Sequence, residues 1–152
     1  MKHLKSIFTS LVTIGAFLVW SGSALAVNSQ ITITTKNNST APTITPSGLN
    51  YTGTLSSTPG DIAAGPGSLI INTGISTVTS YHIDYSTSTG GKRCHFDASS
   101  WLANAATGAC TFNKAASSTG GTYATCTATI TATSAPNKNS PNCSFAVTFG
   151  LQ

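Results

Sequence analysis

The chain has 152 residues, a formal net charge of +4, and only 7% Asp, Glu, Lys and Arg. That length suits one domain rather than several. From Val27 onward there is no basic cluster beyond Lys92-Arg93, which argues against nucleic acid or an anionic membrane surface as partner.

Residues 1–26 read as a secretory signal peptide. Lys2, His3 and Lys5 form a basic start, Ile7–Trp20 an apolar middle, and Ala24-Leu25-Ala26 a small-residue cleavage site. The apolar run is shorter than a full membrane span, and no later stretch is apolar enough to be one. The expectation is a mature chain from Val27, 27–152, secreted or periplasmic, with no transmembrane segment after cleavage. Its bases are Lys36, Lys92, Arg93, Lys114 and Lys138 and its acids Asp61, Asp84 and Asp97, so the charge falls to 5 − 3 = +2. About a third of this part is Ser or Thr, and Thr favours strands.

The periodicity from Val27 onward is that of strands. Val27–Lys36 places Ile31 and Ile33 on one face and Thr32 and Thr34 on the other. Ala41–Ser57 is interrupted by Pro42, Pro46 and Gly48 and predicts at most short edge strands. Residues 58–67, with Pro59-Gly60-Asp61 and Gly65-Pro66-Gly67, form a loop. Leu69-Ile70-Ile71 predicts a short buried strand, and Ile75–Ser86 a long one.

Tyr81–Asp97 carries the densest chemistry of the chain. Tyr81, Ile83, Tyr85, Cys94 and Phe96 alternate with His82, Asp84, Ser86, Arg93, His95 and Asp97. This predicts a hairpin with one apolar and one polar face. With Thr89-Gly90 at the turn, His82 faces Asp97 and Asp84 faces His95. With Gly90-Gly91 there, the two carboxylates would meet, which is unfavourable. The first register is therefore expected.

Ser99–Gly108 is ambiguous between a short helix capped by Ser99 or Ser100 and a loop. Ala109–Asn113 returns to strand. Thr122–Thr133 is the most regular strand, with Ala124, Cys126, Ala128, Ile130 and Ala132 on one face and Tyr123 with alternate threonines on the other. Cys143, Phe145, Val147 and Phe149 form the inward side of the last strand. The predicted fold is all-β: a single small antiparallel β-sandwich of about seven or eight strands, Ig-like or jelly-roll-like.

Four cysteines, Cys94, Cys110, Cys126 and Cys143, in an exported chain predict two disulfides. Cys126 and Cys143 flank one loop, so Cys126–Cys143 and Cys94–Cys110 are the expected pairs. The spacings lack the short Cys-x-x-Cys units of structural zinc sites. The order Gly91-x-x-Cys94-x-Phe96-Asp97, followed by Gly108-x-Cys110, resembles a small part of thaumatin-like domains. Those domains have many more cysteines and an acidic cleft, so nothing further is carried over.

Three features could carry function. His82, Asp84, His95 and Asp97 on one face could hold a divalent metal, although Arg93 beside them opposes a cation. The row Thr125, Thr127, Thr129, with Tyr51, Trp101 and Tyr123, could bind a glycan, ice or another sheet. Catalysis has the least support: no Gly-x-Ser-x-Gly elbow is present and Glu is absent. The leading expectation is an exported, non-enzymatic binding or surface-interaction module for a glycan or surface protein, needing no cofactor. A structural or self-associating extracellular subunit is the alternative. A metal-binding or hydrolytic site on the 81–97 hairpin comes third.

Overall fold

The computed structural model describes residues 27–38, 42–65, 67–88 and 91–152. The expected leader, 1–26, and the expected turn pair, Thr89-Gly90, lie outside them. The described residues form eight strands and no helix: β1 Ile31–Asn37, β2 Ile44–Tyr51, β3 Ser68–Asn72, β4 Val78–Thr87, β5 Arg93–Asn104, β6 Ala109–Ser118, β7 Cys126–Thr133 and β8 Phe145–Leu151. They make two four-stranded sheets, in the orders β3-β1-β8-β7 and β2-β4-β5-β6.

Period-two alternation gives each sheet one apolar face, and the two apolar faces close on each other. From the first sheet come Ile31, Ile33, Phe145, Val147 and Phe149; from the second come Ile44, Tyr81, Ile83, Tyr85, Phe96 and Ala98. Phe149 reaches across to Phe96, ring centroids 4.8 Å apart, and to Tyr81 at 6.5 Å. The Tyr81 hydroxyl is buried with no hydrogen-bond partner among the described residues. Burial, and then Tyr85, push its pKa far above the ordinary tyrosine value. Other buried hydroxyls are satisfied: Ser29 Oγ meets Ser100 Oγ at 3.1 Å, and Thr79 Oγ1 donates to the Ser29 carbonyl at 2.9 Å.

Several sequence expectations are corrected. The sheets are not wholly antiparallel, because β1 runs parallel to β8, with Ile33 beside Val147. Parallel neighbours need a long crossover, and here almost the whole domain supplies it. Residues 44–51 form one continuous edge strand despite Pro46, since an edge leaves that position without a ladder bond to lose. Leu69-Ile70-Ile71 is not buried throughout. It lies in β3, an edge strand, where Ile71 is buried and Ile70 is 59% exposed. Residues 99–104 are neither helix nor loop; they extend β5, and a turn ending at Gly108 leads into β6. Gly108 has φ +71°, and a Cβ there would lie 2.3 Å from the Asn137 carbonyl carbon. Ala132 is exposed rather than inward, because the β7–β8 register shifts between Ile130 and Ala132.

The disulfides are Cys94–Cys126 and Cys110–Cys143, not the pairs expected from loop length. Hairpin geometry excludes the expected ones. Cys126 lies opposite Leu151, at the far end of β8 from Cys143. Eight residues of strand put those two cysteines about 26 Å apart, well beyond bridging distance. Cys110 lies opposite Leu102, again eight residues along the strand from Cys94. Neighbouring strands in one sheet therefore carry their cysteines at opposite ends, and each bridge crosses to the other sheet instead. Two such bridges fit an oxidising compartment. No helix among the described residues is long and apolar enough to cross a membrane.

Candidate functional site: an imidazole–carboxylate face

The β4–β5 pair has the register expected for the Thr89-Gly90 turn, with His82 opposite Asp97 and Asp84 opposite His95. The outward row of β4 is Val78, Ser80, His82, Asp84, Ser86. The outward row of β5 is Arg93, His95, Asp97, Ser99, Trp101. These rows lie back to back with the core rows, so each outward side chain is held by a strand whose other face is locked in packing.

The five titratable side chains form one chain of contacts. Arg93 Nη2 donates to Asp84 Oδ2 at 2.6 Å. Asp84 Oδ1 lies 2.8 Å from His95 Nδ1. The other nitrogen of that ring, His95 Nε2, lies 3.2 Å from Asp97 Oδ2. Asp97 Oδ1 lies 2.7 Å from His82 Nδ1. The two imidazoles meet edge to face, centroids 4.2 Å apart and planes at 75°.

Asp84 is the buried member of this set, while the others are partly open to solvent. Burial alone would raise its pKa. Hydrogen bonds from Arg93 and His95, together with their charges, more than offset that and hold it below the ordinary carboxylate value. Room for the Arg93–Asp84 pair comes from β2. The β2–β4 register shifts between Ser47 and Asn50, and Gly48 within that bulge has φ +59°. A Cβ at Gly48 would sit 2.6 Å from Asp84 Oδ2. The sequence reading missed this role for Gly48. Its signal was a Pro46-x-Gly48 break inside a strand, the usual mark of a bulge or a close approach.

His82, His95 and Asp97 each offer one ligand atom, and these atoms lie within 4.8 Å of one another. Asp84, the fourth of the expected metal candidates, lies outside that group, against His95 Nδ1. Among the described residues no Ser or Thr hydroxyl is hydrogen-bonded to either ring, so the Ser–His pairing of nucleophilic acyl transfer is not found there.

The glycan candidates do not converge. Tyr51 and Trp101 stand on β2 and β5 of one sheet, whereas Thr127 and Thr129 stand on β7 of the other. Thr125 and Tyr123 precede β7, and Tyr123 is 80% exposed. Two surface depressions lie away from the imidazole face. One is lined by Thr133, Ser134, Phe145 and neighbours, the other by Lys36, Asn38, Gly65, Gly67 and Ser68. A scan against protein-family models finds no match to this chain, and a search of curated proteins finds none either.

Proposed function

We propose that the chain is an exported, disulfide-locked, Ig-like or jelly-roll-like sandwich that binds a glycan on the outer face of β2-β4-β5-β6. Export is supported by the basic–apolar–Ala-x-Ala order of residues 1–26 and by the two disulfides.

One observation carries the binding reading. In a chain with few charges, Asp84, Arg93, Asp97 and both histidines after the leader share one face with an exposed indole. Trp101 and its cross-strand partner Val78 are both exposed at one end of that face. Asp97 lies four residues from Trp101 on the same strand face, about 13 Å away at strand spacing. A glycan presents hydroxyls, which suit the carboxylate and imidazole end, and apolar ring faces, which suit the indole. Tyr51 and the β7 threonines belong to other surfaces and are not needed for this reading.

Glycan-array screening of the purified protein tests the reading. The expected result is a set of hits whose signal falls at least tenfold with Trp101→Ala and with His82→Ala. An array with no hits, or hits indifferent to both substitutions, would refute it. Hits lost with Tyr123→Ala or Thr127→Ala instead would move the binding surface to the neighbourhood of β7.

A further inference from the structure

We propose that His82, His95 and Asp97 form a site for a borderline divalent transition-metal ion such as zinc, with Asp84 positioning His95 rather than ligating. The donor set is two imidazoles and one carboxylate, which suits zinc, copper(II) or nickel(II) better than calcium or magnesium, which favour oxygen ligands. Three protein donors with solvent on the open side leave a coordination position for water, as in metal sites that are not purely structural.

The hydrogen bonds favour this use of His95. Asp84 Oδ1 is 2.8 Å from Nδ1, so a proton on Nδ1 is held by that carboxylate. In the neutral ring Nε2 then carries the lone pair, and it lies 3.2 Å from Asp97 Oδ2. A lone pair and a carboxylate oxygen repel unless a proton or a cation lies between them. On the other side of Asp97, Oδ1 meets His82 Nδ1 at 2.7 Å. Asp97 thus lies against one nitrogen of each imidazole, so a single ion could draw one donor from each of the three side chains. With metal–nitrogen and metal–oxygen bonds of about 2.0–2.2 Å, donors around a tetrahedral ion lie about 3.3–3.6 Å apart. The present outer limit of 4.8 Å therefore has to shorten by about 1.3 Å and the 2.7 Å His82–Asp97 contact has to lengthen, both through side-chain rotation on a partly exposed face.

The remaining contacts supply the support that metal-bound histidines usually have. A carboxylate on the far ring nitrogen fixes tautomer and ring orientation and raises ligand basicity. Asp84 is in that place, and Arg93 holds it in turn. This also removes the objection raised by Arg93. Its guanidinium is paired with Asp84 at 2.6 Å, so its charge is compensated before it reaches the donors. With neutral imidazoles the set Arg93, Asp84, Asp97 has net charge −1, which favours a dication.

Isothermal titration of metal-free protein with zinc chloride tests the proposal, with calcium and magnesium chlorides as comparison probes. One equivalent of zinc should bind at pH 7.5, and calcium and magnesium should not. His82→Ala and His95→Ala should each weaken zinc binding more than tenfold. Asp84→Asn should weaken it about 10- to 100-fold, as loss of an outer carboxylate does. Long-range nitrogen–proton NMR of the unmutated protein provides a readout independent of any variant's folding: zinc should shift the ring nitrogens of both His82 and His95. Absence of zinc binding, equal binding of calcium, unshifted ring nitrogens, or binding that survives both histidine substitutions would each overturn the proposal.

Discussion

Asp84 shows how a single side chain joins packing to electrostatics. Both of its oxygens are used, Oδ2 by Arg93 and Oδ1 by His95, and its side chain is only 11% exposed. Its folded pKa is depressed below the ordinary 3.8, so its contribution is fully present above that value and is lost as pH falls through the folded pKa. Asp84→Asn keeps the shape but removes the charge that Arg93 and His95 meet. The expected loss at pH 7 is about 1.5–3 kcal/mol, the range for hydrogen bonds to charged groups. Denaturant unfolding at pH 7 and at pH 3 should show the gap between variant and parent narrowing in acid. An equal gap at both pH values would mean that the loss comes from packing rather than charge.

At the scale of the element, the bulge in β2 is what lets a buried carboxylate and a guanidinium sit on an otherwise ordinary sheet face. Gly48 should therefore tolerate substitution worse than a glycine with the same backbone demand and no neighbour. Gly53 is that comparison: φ is +83°, yet a Cβ there meets nothing within 4 Å. Both Gly→Ala changes carry the cost of a left-handed backbone, about 1–3 kcal/mol. Only Gly48→Ala also presses on Asp84, so thermal unfolding should show it as the more damaging of the two. Equal losses would show that the carboxylate moves aside freely. The hairpin that bears this site was readable in the sequence, because alternation over Tyr81–Asp97 and the avoidance of facing carboxylates leave one register. The bulge was not readable as support for the site, since that needs β2 to lie beside β4, a neighbour distant in the chain. The same limit explains β5, whose residues 99–104 carry helix-capping serines yet continue as strand, 99–101 between β4 and β6 and 102–104 beside β6 alone. Strand pairing outweighs a weak local preference.

The whole molecule is held by crossings between its two sheets, and the disulfides are the covalent ones. Cys94 on β5 joins Cys126 on β7, and Cys110 on β6 joins Cys143 just before β8, with sequence separations of 32 and 33. Closing loops of that size stabilises a fold by about 3–4 kcal/mol per bridge in the chain-entropy account. Pairing by loop length failed because it treats the chain as a line, whereas two antiparallel hairpins put sequence-adjacent cysteines at opposite strand ends. Paired substitutions distinguish the arrangements. Cys110→Ser with Cys143→Ser should remove one bridge, lower the unfolding free energy by about 3–4 kcal/mol, and leave no reactive thiol. Cys94→Ser with Cys110→Ser should instead strand Cys126 and Cys143. At about 26 Å apart along the β7–β8 hairpin they have no route to each other in the folded state. Thiol titration of the folded protein should then count two free cysteines in that variant. Two free thiols in the first variant and none in the second would show that the cross-sheet pairing is wrong and that the sheets are not stapled together.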